Sequence, residues 1–110
     1  TMLPLMLHHV RERHLDLGTV VTKLCERPGE IYGLRKGKIA PGYDADLTIV
    51  DLSVTSVVKG SRLHSKCAWS AFDGMDAVFP KAVMLRGEVV IEDGHLVGER
   101  KGRDVVGRSE

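Results

Sequence analysis

A chain of 110 residues fits one small domain or a piece of a larger one, and 43% hydrophobic with 28% charged residues excludes disorder over most of its length. A formal charge of +1 and only 5% aromatic residues leave no basic, ring-bearing face of the kind that nucleic acid requires. No apolar run approaches the roughly 18 residues of a membrane span. The start, TMLPLMLHHVRERH, has neither the charged leader nor the cleavage site of a signal peptide, so the chain reads as cytoplasmic.

Residues 1–34 read as helical. In MLPLMLHHVRERH, Leu3, Leu7 and Val10 recur at helical spacing with Met6 beside them, and Arg11, Glu12 and Arg13 close the segment on a solvated face. A second segment, DLGTVVTKLCER, sets Leu17, Val20, Val21 and Leu24 on one side, with Thr19 as the expected cap. RPGEIYGL reads as one more helical turn: Pro28 suits the first helical position and Gly33 a left-handed stop.

From Lys36 the pattern changes to period two. DLTIVD alternates Leu47 and Ile49 against Thr48 and Val50, and SVTSVVKG is rich in β-branched residues. KAVMLRGEVVIEDGHLVG predicts a strand over 81–85, a tight turn at Arg86–Gly87, a strand to Ile91 and a second tight turn at Asp93–Gly94 leading into Leu96 and Val97. Residues 60–80 read as a long loop, and 98–110 as a polar, frayed tail. The whole is an α+β piece whose strands are too few to cover its helices and still close a sheet. The helix faces around Leu3, Leu7, Val20 and Leu24 are expected to lack cover and to promote self-association.

Candidate chemistry is sparse. Asp44 and Asp46 follow the Pro41–Gly42 turn and would share one side of a strand, about 7 Å apart by strand rise. That spacing suits a divalent ion if further ligands arrive from elsewhere. Aspartate also favours turns and strand starts by bonding its own backbone, and Asp44, Asp46 and Asp51 are read in this second, structural way.

The histidines are His8, His9, His14, His64 and His95. His8 and Glu12 lie one helical turn apart, but no His-x-His or His-x-x-x-His pair occurs, so a solvated face is expected. His64 beside Ser61 and Ser65 is not by itself a nucleophile and base, because such partners meet in space. Cys25 and Cys67 have no paired-thiol spacing and read as reduced thiols. Neither GxGxxG nor GxxxxGK[ST] occurs. Trp69 and Phe72 read as anchors pinning the long loop to a neighbouring surface rather than as a ligand shelf. No catalytic, cofactor-binding or metal-ligating residue is assigned from these patterns.

The order of segments carries more. TMLPLML, CERPGEIYGL, KGKIAPGYDADLTIVDL, HSKCAWSAFDGM and VMLRGEVVIEDGHLVG together resemble the C-terminal end of the cyclic-amide hydrolases in the amidohydrolase superfamily. Within these the chain is most similar to the class I dihydroorotases, with hydantoinases and allantoinases close behind. Two departures stand out: Arg27-Pro28-Gly29 replaces the family's usual Asn-Pro-Ala, and Ala71 replaces the proline before the loop phenylalanine.

The resemblance implies a parent (β/α)₈ barrel with zinc at the strand C-terminal ends. A metal-bound hydroxide would attack the cyclic amide, interconverting dihydroorotate and N-carbamoyl-aspartate in pyrimidine synthesis. The family's ligands would all precede Thr1, which is itself not a Met. Residues 1–34 would then be the last helices of the barrel, and 35–110 the C-terminal share of a small β-sandwich built from both chain ends. Such a piece would hold no zinc, would be inactive alone, and would have the rest of the barrel as its partner. A hydantoinase or allantoinase fragment, or a non-catalytic scaffold module, are the alternative readings.

Overall fold

The computed structural model describes residues 1–99 and 102–105. The rest of the tail expected to fray lies outside the described residues. Helix α1 spans Met2–Arg11, α2 spans Leu17–Val21 and α3 spans Arg27–Ile31. A turn of π-helix, Thr22–Glu26, joins α2 directly to α3. What the sequence divides into two helices is therefore one continuous rod. In an α-turn, Pro28 would present no N–H to the Leu24 carbonyl and would crowd it; the chain widens into the π turn at this point. The start of α2 is capped by Asp16 rather than Thr19: the Asp16 carboxylate accepts from the Thr19 N–H at 3.3 Å. Gly33, at φ +65°, ends α3 as its sequence position predicts.

Among the described residues six strands follow: β1 Leu47–Ile49, β2 Ser56–Val57, β3 Asp76–Ala77, β4 Ala82–Leu85, β5 Glu88–Glu92 and β6 His95–Leu96. They form two antiparallel sheets, one ordered β1-β4-β5-β6 and one pairing β2 with β3. Arg86 (φ 46°) with Gly87 (φ 83°), and Asp93 (φ 49°) with Gly94 (φ 81°), give both hairpins the left-handed residue pairs that match strand twist. A register shift between Val83 and Met84 leaves Val90 unopposed, a bulge with no signature in the sequence.

The segment read as one loop over 60–80 is more ordered than that. It opens with a 3₁₀ turn, Gly60–Arg62, and contains β3. A Cβ on Gly60 would lie 2.5 Å from the Trp69 Cα, so the loop folds back onto bare backbone there.

The buried core is small. Leu5, Val58 and Ala77 form it, with Leu63 and Phe79 packed against them, and Val78 donates its N–H to the Pro4 carbonyl at 3.0 Å. The β2–β3 pair thus sits on α1. Leu7 and Val20 are buried as well, which corrects the expectation that these two stay uncovered; the exposed apolar side chains of the helical half include Met2, Ile31 and Tyr32. In the four-stranded sheet, pairing puts Leu47, Ile49, Ala82 and Met84 on one face and Val83, Ile91 and Leu96 on the other. Neither face is closed: Ile49 is 53% exposed and Leu96 60%. Among the described residues no helix is long and apolar enough to cross a membrane.

Gly29 provides a test of this packing. An alanine inside a helix is normally the more stable choice, yet a Cβ at 29 would sit 2.4 Å from the Lys36 carbonyl oxygen. Gly29→Ala is expected to destabilise by about 1–3 kcal/mol, measured by thermal denaturation; a stabilised variant would show that the 34–37 segment does not cross the helix there.

Candidate functional site

The densest polar constellation is built by the segment that leaves α3 and enters β1. Its path begins as backbone on backbone. Gly29 lies against the Lys36 carbonyl, and Gly37 (φ 87°) lies so close to the Cys25 carbonyl that a Cβ would overlap it. The Leu34 N–H donates to the Gly29 carbonyl at 2.9 Å, and Lys38 reaches Glu30 at 3.4 Å. Lys36 is thereby held over the strand start, where its ammonium donates to Asp44 at 2.9 Å and also to Asp46. The second oxygen of Asp46 accepts the Arg86 N–H at 2.8 Å, and the Gly87 N–H donates to the Ala45 carbonyl at 3.0 Å. One carboxylate therefore joins the helical half, the first strand and the β4–β5 turn.

Burial by itself would raise the Asp46 carboxyl. The hydrogen bonds from Lys36 and from the Arg86 N–H outweigh it and hold the group below its ordinary range. Lys36 is pushed up, first by its bond to Asp46 and then by that to Asp44, against a smaller opposing effect of burial. Asp51 serves locally: its carboxylate accepts from the Ser53 hydroxyl at 2.6 Å and the Ser53 N–H at 2.9 Å, which terminates β1 in an Asx turn. Asp51 bonds its own nearby backbone as expected, whereas Asp44 pairs with Lys36, and Asp46 with Lys36 and the distant Arg86 N–H. Neither Lys36 nor the Arg86 N–H was singled out from sequence; the first is eight residues from Asp44 and the second forty from Asp46, and only folding brings them together.

The remaining candidates are dispersed. Glu12 pairs with Arg11 at 3.0 Å, His64 is exposed, and His95 stands opposite Glu92 at the sheet's edge. Ser65 meets the Cys67 thiol at 3.6 Å, and both cysteines are free and exposed. Within this chain the ends of loop 60–75 are joined by Asp73, whose carboxylate accepts the Gly60 N–H at 2.5 Å. Trp69 is 66% exposed and Phe72 43%.

The amidohydrolase family model matches residues 1–90. The chain belongs to the amidohydrolase family. Its curated relatives include the dihydroorotase of Thermoplasma volcanium, 47% identical over 96% of this chain, and the L-hydantoinase of Paenarthrobacter aurescens, 38% identical over 91%. The solved L-hydantoinase from Arthrobacter aurescens superposes with a TM-score of 0.84 at 39% identity over 88% of the chain, and a D-hydantoinase structure with 0.76 at 32% identity over 86%. The chain spans about a quarter of the length of its relatives, 25% of the first dihydroorotase and 22% of the solved L-hydantoinase.

The zinc centre that this kinship implies for a whole enzyme does not fit the donors here. Among the described residues no group of three or more His, Cys, Asp or Glu side chains that could hold a metal ion is present, and the Asp44–Asp46 pair is occupied by the Lys36 ammonium.

The clamp makes unequal predictions for its two carboxylates. Asp46→Asn is expected to cost about 1–3 kcal/mol, whereas Asp44→Asn, with a more exposed carboxylate, costs under about 1 kcal/mol; denaturant titration distinguishes them. A depressed carboxyl contributes fully above roughly pH 3.9, and that contribution disappears as the pH falls through its lowered folded value. A raised lysine contributes fully below roughly pH 10.4, and its share is lost as the pH rises through the raised folded value. Asp46→Asn should flatten the acid limb of the stability profile.

Proposed function

We propose that this chain is the carboxyl-terminal part of a dihydroorotase, a zinc hydrolase that interconverts dihydroorotate and N-carbamoyl-aspartate, and that its own contribution to the enzyme is architectural. The observation that carries the reading is the 47% identity to a dihydroorotase over 96% of this chain and 25% of that protein. Further dihydroorotases, from Thermoplasma acidophilum and Methanosarcina mazei, match at 41% and 43%. On this reading residues 1–34 are the last helices of a (β/α)₈ barrel, and the strands from Lys36 onward are part of a small sandwich completed by other segments. The half-open faces of the four-stranded sheet support that arrangement, since Ile49 stays 53% and Leu96 60% exposed among the described residues. The clamp at Asp46 would then fix the sandwich to the barrel helices, and the catalytic metal would be held by residues outside these 110.

A hydantoinase is the second reading, favoured by the L-hydantoinase matches in both sequence and structure. Expression of the whole gene product and assay with dihydroorotate and with hydantoin separates the two. Turnover of dihydroorotate, abolished by a chelator and restored by zinc, is the expected result; turnover of hydantoin alone would overturn the first reading, and turnover of neither would favour a non-catalytic scaffold.

The 110-residue chain alone is expected to associate in solution through exposed apolar side chains such as Ile39 (91% exposed), Tyr32 (76%) and Ile31 (70%). Sedimentation velocity across a concentration series checks this, and a monomer at every concentration would contradict it.

A further inference from the structure

The end of α1 places two imidazoles side by side, and nothing in the clamp or the family chemistry uses them. After the cap residue Glu12, Arg13 takes a left-handed conformation, φ 63°. Its N–H donates to the Val10 carbonyl at 3.0 Å, and the His14 N–H donates back to the His9 carbonyl at 2.9 Å. This is the Schellman closure, in which the residue after the left-handed one returns onto the helix's last turn. The two side chains it brings together are normally apolar; here they are His9 and His14. Their ring centroids lie 5.7 Å apart with planes inclined at 42°, and the two Nδ1 atoms face each other at 3.4 Å.

With a proton on one Nδ1 this contact is a long hydrogen bond; with both protons on Nε2 it leaves two lone pairs 3.4 Å apart. That separation matches the edge of a tetrahedron around zinc: with Zn–N bonds of about 2.0–2.1 Å, two ligand nitrogens lie about 3.3–3.4 Å apart. A neutral imidazole that carries its proton on Nε2 presents a lone pair at Nδ1. We propose that His9 and His14 form a two-imidazole seat for a borderline divalent cation such as Zn²⁺, with water completing its coordination on the exposed side. His8 is not a third ligand: its ring is 6.0 Å from that of His9, and its Nδ1 is closed off from solvent without a hydrogen-bond partner. The neighbouring charge is partly balanced, because Glu12 neutralises Arg11. The site is absent from spacing rules because residues five apart do not share a helix face; the left-handed residue at 13 creates the contact.

Zinc titration of this chain, followed by calorimetry and by the histidine ring proton resonances, tests the proposal. One saturable ion per chain is expected, shifting the His9 and His14 signals and leaving those of His64 and His95 in place. His9→Ala and His14→Ala should each abolish saturable binding. His8→Ala, and Cys25→Ser combined with Cys67→Ser, should retain it. Arg13→Gly should bind as well or more tightly, because glycine adopts the left-handed conformation without strain. Saturable binding that survives His14→Ala, ring shifts at His64 or His95 instead, or no saturable binding by the unmodified chain would each overturn it.

Discussion

The chain is held together by a carboxylate that serves two masters. Asp46 accepts an ammonium from the helical side and a backbone N–H from the β4–β5 turn. Its side chain and that of Lys36 are each about a quarter exposed, so the pair is neither deeply desolvated nor fully screened. This is the regime in which a charge-assisted hydrogen bond contributes most: an isolated buried charge is costly, and a fully wet pair is worth little. Beside that link, the strand entry is joined to the segment leaving α3 by the Lys36–Asp44 pair at 2.9 Å and by the Asp44 N–H, which donates to the Arg35 carbonyl at 2.9 Å.

Around the clamp, the fold relies on backbone meeting backbone where side chains are too few to fill a core. Six hydrophobic residues are buried among those described, and none belongs to the four-stranded sheet. Gly29, Gly37 and Gly60 let loop and helix backbones approach to distances that any Cβ would forbid. In a protein whose relatives are about four times as long, such economy is physically reasonable. Both faces of the four-stranded sheet stay part-open, with Ile49 53% and Leu96 60% exposed.

Parts of this were legible in the residues. The Arg86–Gly87 and Asp93–Gly94 pairs specify tight hairpins because flanking strand twist demands left-handed residues, and glycine supplies one of each pair without strain. Gly33 marks a helix end for the same reason, and the change from helical to alternating pattern near Lys36 separates α from β. Other features misled. Thr19 looked like the cap, but Asp16 stands just before the helix, three residues ahead of Thr19, and its carboxylate accepts the Thr19 N–H. Leu5 fell outside the predicted apolar stripe yet lies in the core, because the β2–β3 pair approaches α1 from that side.

By itself, then, the sequence determined the α+β class, its turns, and through the order of its motifs the family; each of these rests on local backbone preference or on a linear pattern. Tertiary structure alone decided that α2 runs through a π turn into α3, that β3 lies inside the apparent loop, and that Asp46 joins Lys36 to the β4–β5 turn. It also decided that His14 meets His9. These depend on which backbone groups and side chains arrive at the same point, and no preference of a residue for its own neighbours contains that information.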